Sequence, residues 1–98
     1  MYSMSMTSKI VDIIRNHVTD YEVSISMAEG KENEANNLKN VRKSKSVDYQ
    51  IRAAELLQNR YEGEASVSRR AANKLYDAFK DDFDSSERSE VDELMEKL

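Results

Sequence analysis

Apolar residues recur at three- and four-residue intervals along most of this chain, a rhythm that predicts helices. It is clearest over 47–62, where Val47, Ile51, Ala54, Leu57 and Tyr61 share one face. Ser46 is placed to cap this helix, Asp48 puts a negative charge in its first turn, and Arg60 puts a positive one in its last. Gly63 then stands where a left-handed stop residue belongs, so a hairpin boundary is expected there. A second helix is expected over 67–82, capped by Ser66, with Ala71, Leu75, Ala78, Phe79 and Phe83 as its stripe. Ser85 or Ser86 starts a last helix on which Val91, Leu94, Met95 and Leu98 share a face. Its carboxylates crowd the first turns, as the helix dipole favours.

The N-terminal third carries two patterns at once. Ile10, Ile14, Val18, Tyr21, Ile25 and Ala28 make a helical stripe that begins after Thr7 or Ser8. Tyr21, Val23, Ile25 and Met27 also alternate with polar residues, as in a strand, and Tyr2, Met4 and Met6 alternate in the same way. Helix is the preferred reading, because no third strand is available to complete a sheet. The polar run 29–37 contains Gly30 and three asparagines, so a bend or break is expected near Gly30, with apolar spacing resuming at Ala35, Leu38 and Val41.

Composition supports the same class. There is no proline and there are two glycines in 98 residues, which removes most of the punctuation that turns need. The expected fold is all-α: a small helical bundle or helical hairpin assembly of three to four helices, completed by oligomerisation. The expected organisation is a loose tail over 1–6 and a single helical domain over 7–98. With 39% hydrophobic and 35% charged residues, one subunit buries little, so self-association is a natural supplement. The absence of cysteine excludes disulfides and thiolate catalysis. The first residues lack the basic and apolar regions of a signal peptide, and no apolar run is long enough for a membrane span. A cytoplasmic protein without membrane contact is the expectation.

Charge is sorted along the chain. Residues 1–38 hold three cations and six carboxylates, residues 39–80 ten cations and five carboxylates, and residues 81–98 two cations and eight carboxylates. Opposite blocks in one small protein invite either self-complementation or a charged partner for each. The densest basic stretch holds Lys39, Arg42, Lys43 and Lys45, a candidate phosphate or nucleic-acid contact. Arg52, Arg60, Arg69, Arg70 and Lys74 are candidates to extend it. Its plain alternative is a charged bend facing solvent, or facing the acidic C-terminal helix of the same or a neighbouring subunit.

Candidate chemistry is sparse. His17 is the only imidazole, and nothing around it resembles a nucleophile elbow or a zinc helix, so a structural or surface role is expected. Gly30 and Gly63 cannot make a glycine-rich phosphate loop. From Asp82, oxygen-bearing residues fall at calcium-loop positions 1, 3, 5, 9 and 12 (Asp82, Asp84, Ser86, Glu90, Glu93), but Glu87 stands where the loop needs glycine. Neither an enzyme nor a metal or cofactor site is expected. A helix-turn-helix with Gly63 in its turn would place Asn59 where a small residue must pack and Arg69 in the core, so that register fails.

The run 47–57, with its Arg52-Ala53-Ala54-Glu55-Leu56-Leu57 core, resembles a helix of the small terminase subunits of tailed phages. That resemblance covers eleven residues and implies a helical, ring-forming protein that recognises viral DNA during packaging. The upstream DNA-binding motif of that family has no counterpart here.

The expected function is a small, non-enzymatic, self-associating helical protein that acts as a regulator or inhibitor by docking on a protein partner. Its size and acidity suit, by analogy, the accessory proteins of phages and mobile elements. Candidate docking residues are Tyr49, Tyr76, Glu90 and Glu93, since tyrosine offers contact area with a polar tip and the acidic helix can imitate nucleic-acid charge. The competing class is a nucleic-acid-binding module, including a DNA-packaging subunit, that uses Lys39, Arg42, Lys43 and Lys45. A third is a nucleotide sponge built at a subunit interface.

Overall fold

The computed structural model describes residues 5–98. It contains three helices, α1 (Met6–Lys39), α2 (Lys45–Phe79) and α3 (Ser85–Met95), and no strand among the described residues. The long α1 and α2 form an antiparallel hairpin, and α3 folds back along one end of it. The resulting rod measures 61 × 23 × 22 Å.

The hairpin is held by a seam that alternates steps of three and four residues. On α1 it runs through Thr7, Ile10, Ile14, His17, Tyr21, Ser24, Ala28, Lys31, Ala35 and Leu38. On α2 it runs through Val47, Ile51, Ala54, Gln58, Tyr61, Ala65, Ser68, Ala72, Leu75 and Phe79. Every one of these residues is buried or half-buried. The spacing is that of a coiled coil, which keeps one stripe of each helix facing the other over many turns.

This seam corrects the expected boundaries. Gly63 does not stop a helix: α2 continues through it, and its φ is not positive. Gly30 likewise causes no break in α1. A glycine inside a helix costs about 1 kcal/mol relative to alanine, and packing along the uninterrupted seam outweighs that. Ser44, not Ser46, caps α2, its side chain accepting from the Val47 N–H at 3.1 Å. Ala72, not Ala71 or Ala78, is buried, because the seam carried through Gly63 shifts the inward face by one residue. Residues 21–27 are helical, so the strand alternative fails there; its partners Tyr2 and Met4 lie outside the described residues, and Met6 is the first residue of α1.

The remaining ends follow local chemistry. The Ser5 hydroxyl accepts from the Ser8 N–H at 3.1 Å and starts α1. Asp84 caps α3 in a reciprocal box: its carboxylate accepts from the Glu87 N–H at 2.7 Å, and Glu87 accepts from the Asp84 N–H at 3.1 Å. The expected start of the last helix near Ser85 therefore holds. Residues 85–93 are helical, so no calcium-type loop forms around Asp82 and Glu93.

The core sits at the α3 end, where Ile10, Val11, Ile14, Val18, Ala72 and Val91 are buried against Leu75, Tyr76, Phe79, Phe83, Leu94, Met95 and Leu98. Outside this cluster the buried residues are Ala28, Ala35, Ala54 and Ala65. Each of these alanines is a small seam position among larger half-buried ones such as Tyr21, Leu38, Ile51 and Tyr61.

Candidate functional site

The hairpin converts the charge order of the sequence into two separate ends. At one tip, Lys39 closes α1, residues 40–44 make the turn, and Lys45 opens α2. Lys39 pairs with Glu55 at 3.5 Å. Arg42, Lys43, Lys45 and Arg52 are exposed, and among the described residues none forms a salt bridge. Lys45, Asp48, Tyr49 and Arg52 line an open depression of about 280 Å³. Arg69, Arg70 and Lys74 do not join this patch: 24 helical residues separate Lys45 from Arg69, about 36 Å at 1.5 Å per residue.

The opposite end is acidic. The turn after α2 and the exposed side of α3 carry Asp81, Asp82, Glu93 and Glu96, which form no salt bridge among the described residues. The other carboxylates there brace the fold. Glu90 pairs with Arg15 of α1, and Glu87 accepts from the Ser8 hydroxyl at 3.2 Å. Tyr76 of α2 donates its phenol to Asp92 at 3.0 Å, while Arg88 lies 5.4 Å over its ring and bonds the same Asp92 at 3.1 Å. The hydrogen bond to Asp92 raises the Tyr76 pKa above its ordinary value, and the same carboxylate raises that of Arg88. These pairs are solvent-exposed and screened by water, so each adds little to stability; they set the position of α3 more than they stabilise it.

Contacts of α3 with Ser8, Arg15 and Glu22 fix its level along α1. From Glu22 to Lys39 there are 17 further residues, about 25 Å of helix. The basic stretch therefore cannot reach the acidic helix of its own chain, which removes one alternative for its role. Of the candidate docking residues, Tyr76 and Glu90 are engaged in seating α3, whereas Tyr49 is 74% exposed and Glu93 faces solvent. His17 is a half-buried seam residue of α1.

A further set of outward residues was legible only once the seam was known. Leu56 and Val67 on α2, and Val23 and Met27 on α1, expose about half or more of their area (70%, 64%, 56% and 45%). Together with Tyr49 they form stripes on the outside of the hairpin. Read from the sequence, Gly63 separates Leu56 from Val67, which looks like the first turn of a new helix; the continuous α2 places both on its outer face.

Among the described residues, no helix is long and apolar enough to cross a membrane. The fold and these surfaces define an all-α helical hairpin braced by a short third helix. Compared with known protein families, curated proteins and solved structures, the chain shows no match.

Proposed function

We propose that this chain is a small, non-enzymatic, self-associating helical protein that works as a regulator or inhibitor by docking on a protein partner. The observation that carries this reading is the inverted use of apolar bulk. Away from the three-helix core the buried residues are alanines and the larger seam residues are only half-buried, while Tyr49, Leu56, Val67, Val23 and Met27 project outward. Outward apolar stripes rimmed by charge are what protein interfaces are built from. Among the described residues, the depressions beside Arg15, Tyr49 and Leu56, about 240–280 Å³ each, are open to solvent. On this reading, as on the sequence, cytoplasmic residence and an accessory role of the phage type are part of the proposal.

A second reading has its own support: the unpaired cations Arg42, Lys43, Lys45 and Arg52 at one tip form a surface that phosphates favour. This is the nucleic-acid module, with a DNA-packaging subunit as its most specific form.

Light scattering after size-exclusion chromatography, at low and at high salt, separates the two. A defined oligomer free of nucleic acid at both salts supports the protein-docking reading. Excess absorbance at 260 nm that dissociates steeply with salt overturns it in favour of the second.

A further inference from the structure

The exposed face of α2 repeats the three-four spacing of its buried seam. Tyr49, Ala53, Leu56, Arg60, Gly63, Val67, Arg70 and Lys74 follow one another in steps of four and three, on the side turned away from α1. Among the described residues no other helix covers this second stripe; Arg60 pairs with Glu64 of its own helix at 3.3 Å. Gly63 lies on it, helical, with no positive φ and nothing within 4 Å of where a Cβ would stand. No contact within the chain requires a glycine there.

We infer that this face is the interface of an antiparallel, two-fold dimer of the chain, with its axis beside the Tyr61–Glu62 peptide. The inference rests on the self-association in the reading above and specifies its geometry. The stripe is palindromic in spacing about that point, as a two-fold pairing of one helix with its own copy requires. Leu56 then lies opposite Val67 of the second copy, and Arg60 lies over the bare surface of Gly63. Tyr49 meets Lys74, a cation over an aromatic ring.

Charge selects this arrangement. The same register brings Asp77 of the second copy level with Ser46, the neighbour of Lys45, and carries Asp81 past the start of α2, where the turn with Arg42 and Lys43 lies. The basic tip of each chain therefore lies against the acidic end of the other, at both ends of the dimer. No cation of the stripe faces another cation. A parallel pairing would stack Arg60 on Arg60, Arg70 on Arg70 and the basic turn on itself, and like charges set opposite one another oppose association. The 25 Å gap that prevents the two charge blocks from meeting within one chain is closed by the second chain.

The absence of native cysteine makes the register directly testable. Under mild oxidation, an equal mixture of Leu56→Cys and Val67→Cys chains is expected to form the 56–67 disulfide, while neither variant cross-links when alone. In this register two copies of residue 56 stand 11 residues apart along the axis, about 16 Å, beyond disulfide reach. Self-cross-linking of Leu56→Cys alone overturns the inference in favour of a parallel pair. As an independent check, Lys43→Glu/Lys45→Glu and Asp81→Lys/Asp82→Lys are each expected to weaken dimerisation at least about tenfold at low salt, and mixing the two is expected to restore it. No recovery on mixing overturns the pairing of the charged ends. A chain that light scattering finds monomeric at all concentrations overturns both the dimer and the self-association beneath it. A dimer whose cross-links report another register overturns the geometry alone. Nucleic acid occupying the basic tip in place of the second copy also overturns it.

Discussion

The two halves of the hairpin are built on opposite principles. At the α3 end, branched and aromatic side chains from three helices fill a shared interior, with Ile14, Val18 and Val91 wholly removed from solvent. Along the rest of the hairpin the buried residues are Ala28, Ala35, Ala54 and Ala65, larger seam residues such as Leu38, Ile51 and Tyr61 are half-buried, and Tyr49, Leu56 and Val23 point outward. One half buries its large apolar side chains within the chain; the other leaves several of them on display. The difference teaches where stability resides and where an interface is to be sought.

Substitutions that touch each kind of packing sharpen the contrast. Ile14→Ala empties a fully buried site in the three-helix core and is expected to lower unfolding free energy by about 2–5 kcal/mol. Ala54→Leu instead forces bulk into the close helix contact and is expected to cost about 1–3 kcal/mol. Urea titration followed by circular dichroism reads both. A loss below 1 kcal/mol for Ile14→Ala would deny the α3 end its role as the core.

Gly30→Ala is expected to stabilise by about 0.4–1 kcal/mol, because the φ is not positive, nothing lies within 4 Å of the added Cβ, and alanine narrows the unfolded ensemble. A lower thermal midpoint for this variant would show that the helix needs its glycine after all.

The smallest effect concerns how α3 is seated. Tyr76 donates to Asp92 as a neutral phenol, and its pKa in the fold is raised above the ordinary 10.0. The stabilising contact is therefore complete below pH 10 and is lost as pH climbs through the raised value, where phenolate would face carboxylate. Thermal melts of the native protein and of Tyr76→Phe should differ at neutral pH and converge in strong alkali. Parallel curves throughout would remove Tyr76 from the seating of α3.

Helical character was legible from the sequence because it depends on local rules: proline is absent, glycine is rare, and apolar residues keep a helical period over 10–28 and 47–61. The start of α3 was legible for the same reason, since serine and acidic residues cluster where a cap must form. The ends of the long helices were not. Gly63 and Gly30 carry the local signature of a stop or bend, and only the unbroken seams on both sides of each show that it is overridden. Tyr76 was readable as a large amphipathic side chain, but its engagement with Asp92 and Arg88 depends on how α3 folds back.

What the sequence by itself determined is that the chain is helical and that its charges are sorted in blocks, because propensity and charge belong to residues wherever they lie. Tertiary structure alone decided that 45–79 is one helix, since about 1 kcal/mol of local preference at a glycine yields to packing along ten seam positions. It also decided that the basic and acidic blocks stand at opposite ends of a 61 Å rod. A hairpin turns order along the chain into distance in space, and that distance is what leaves each charge block, and the apolar face between them, open to another molecule.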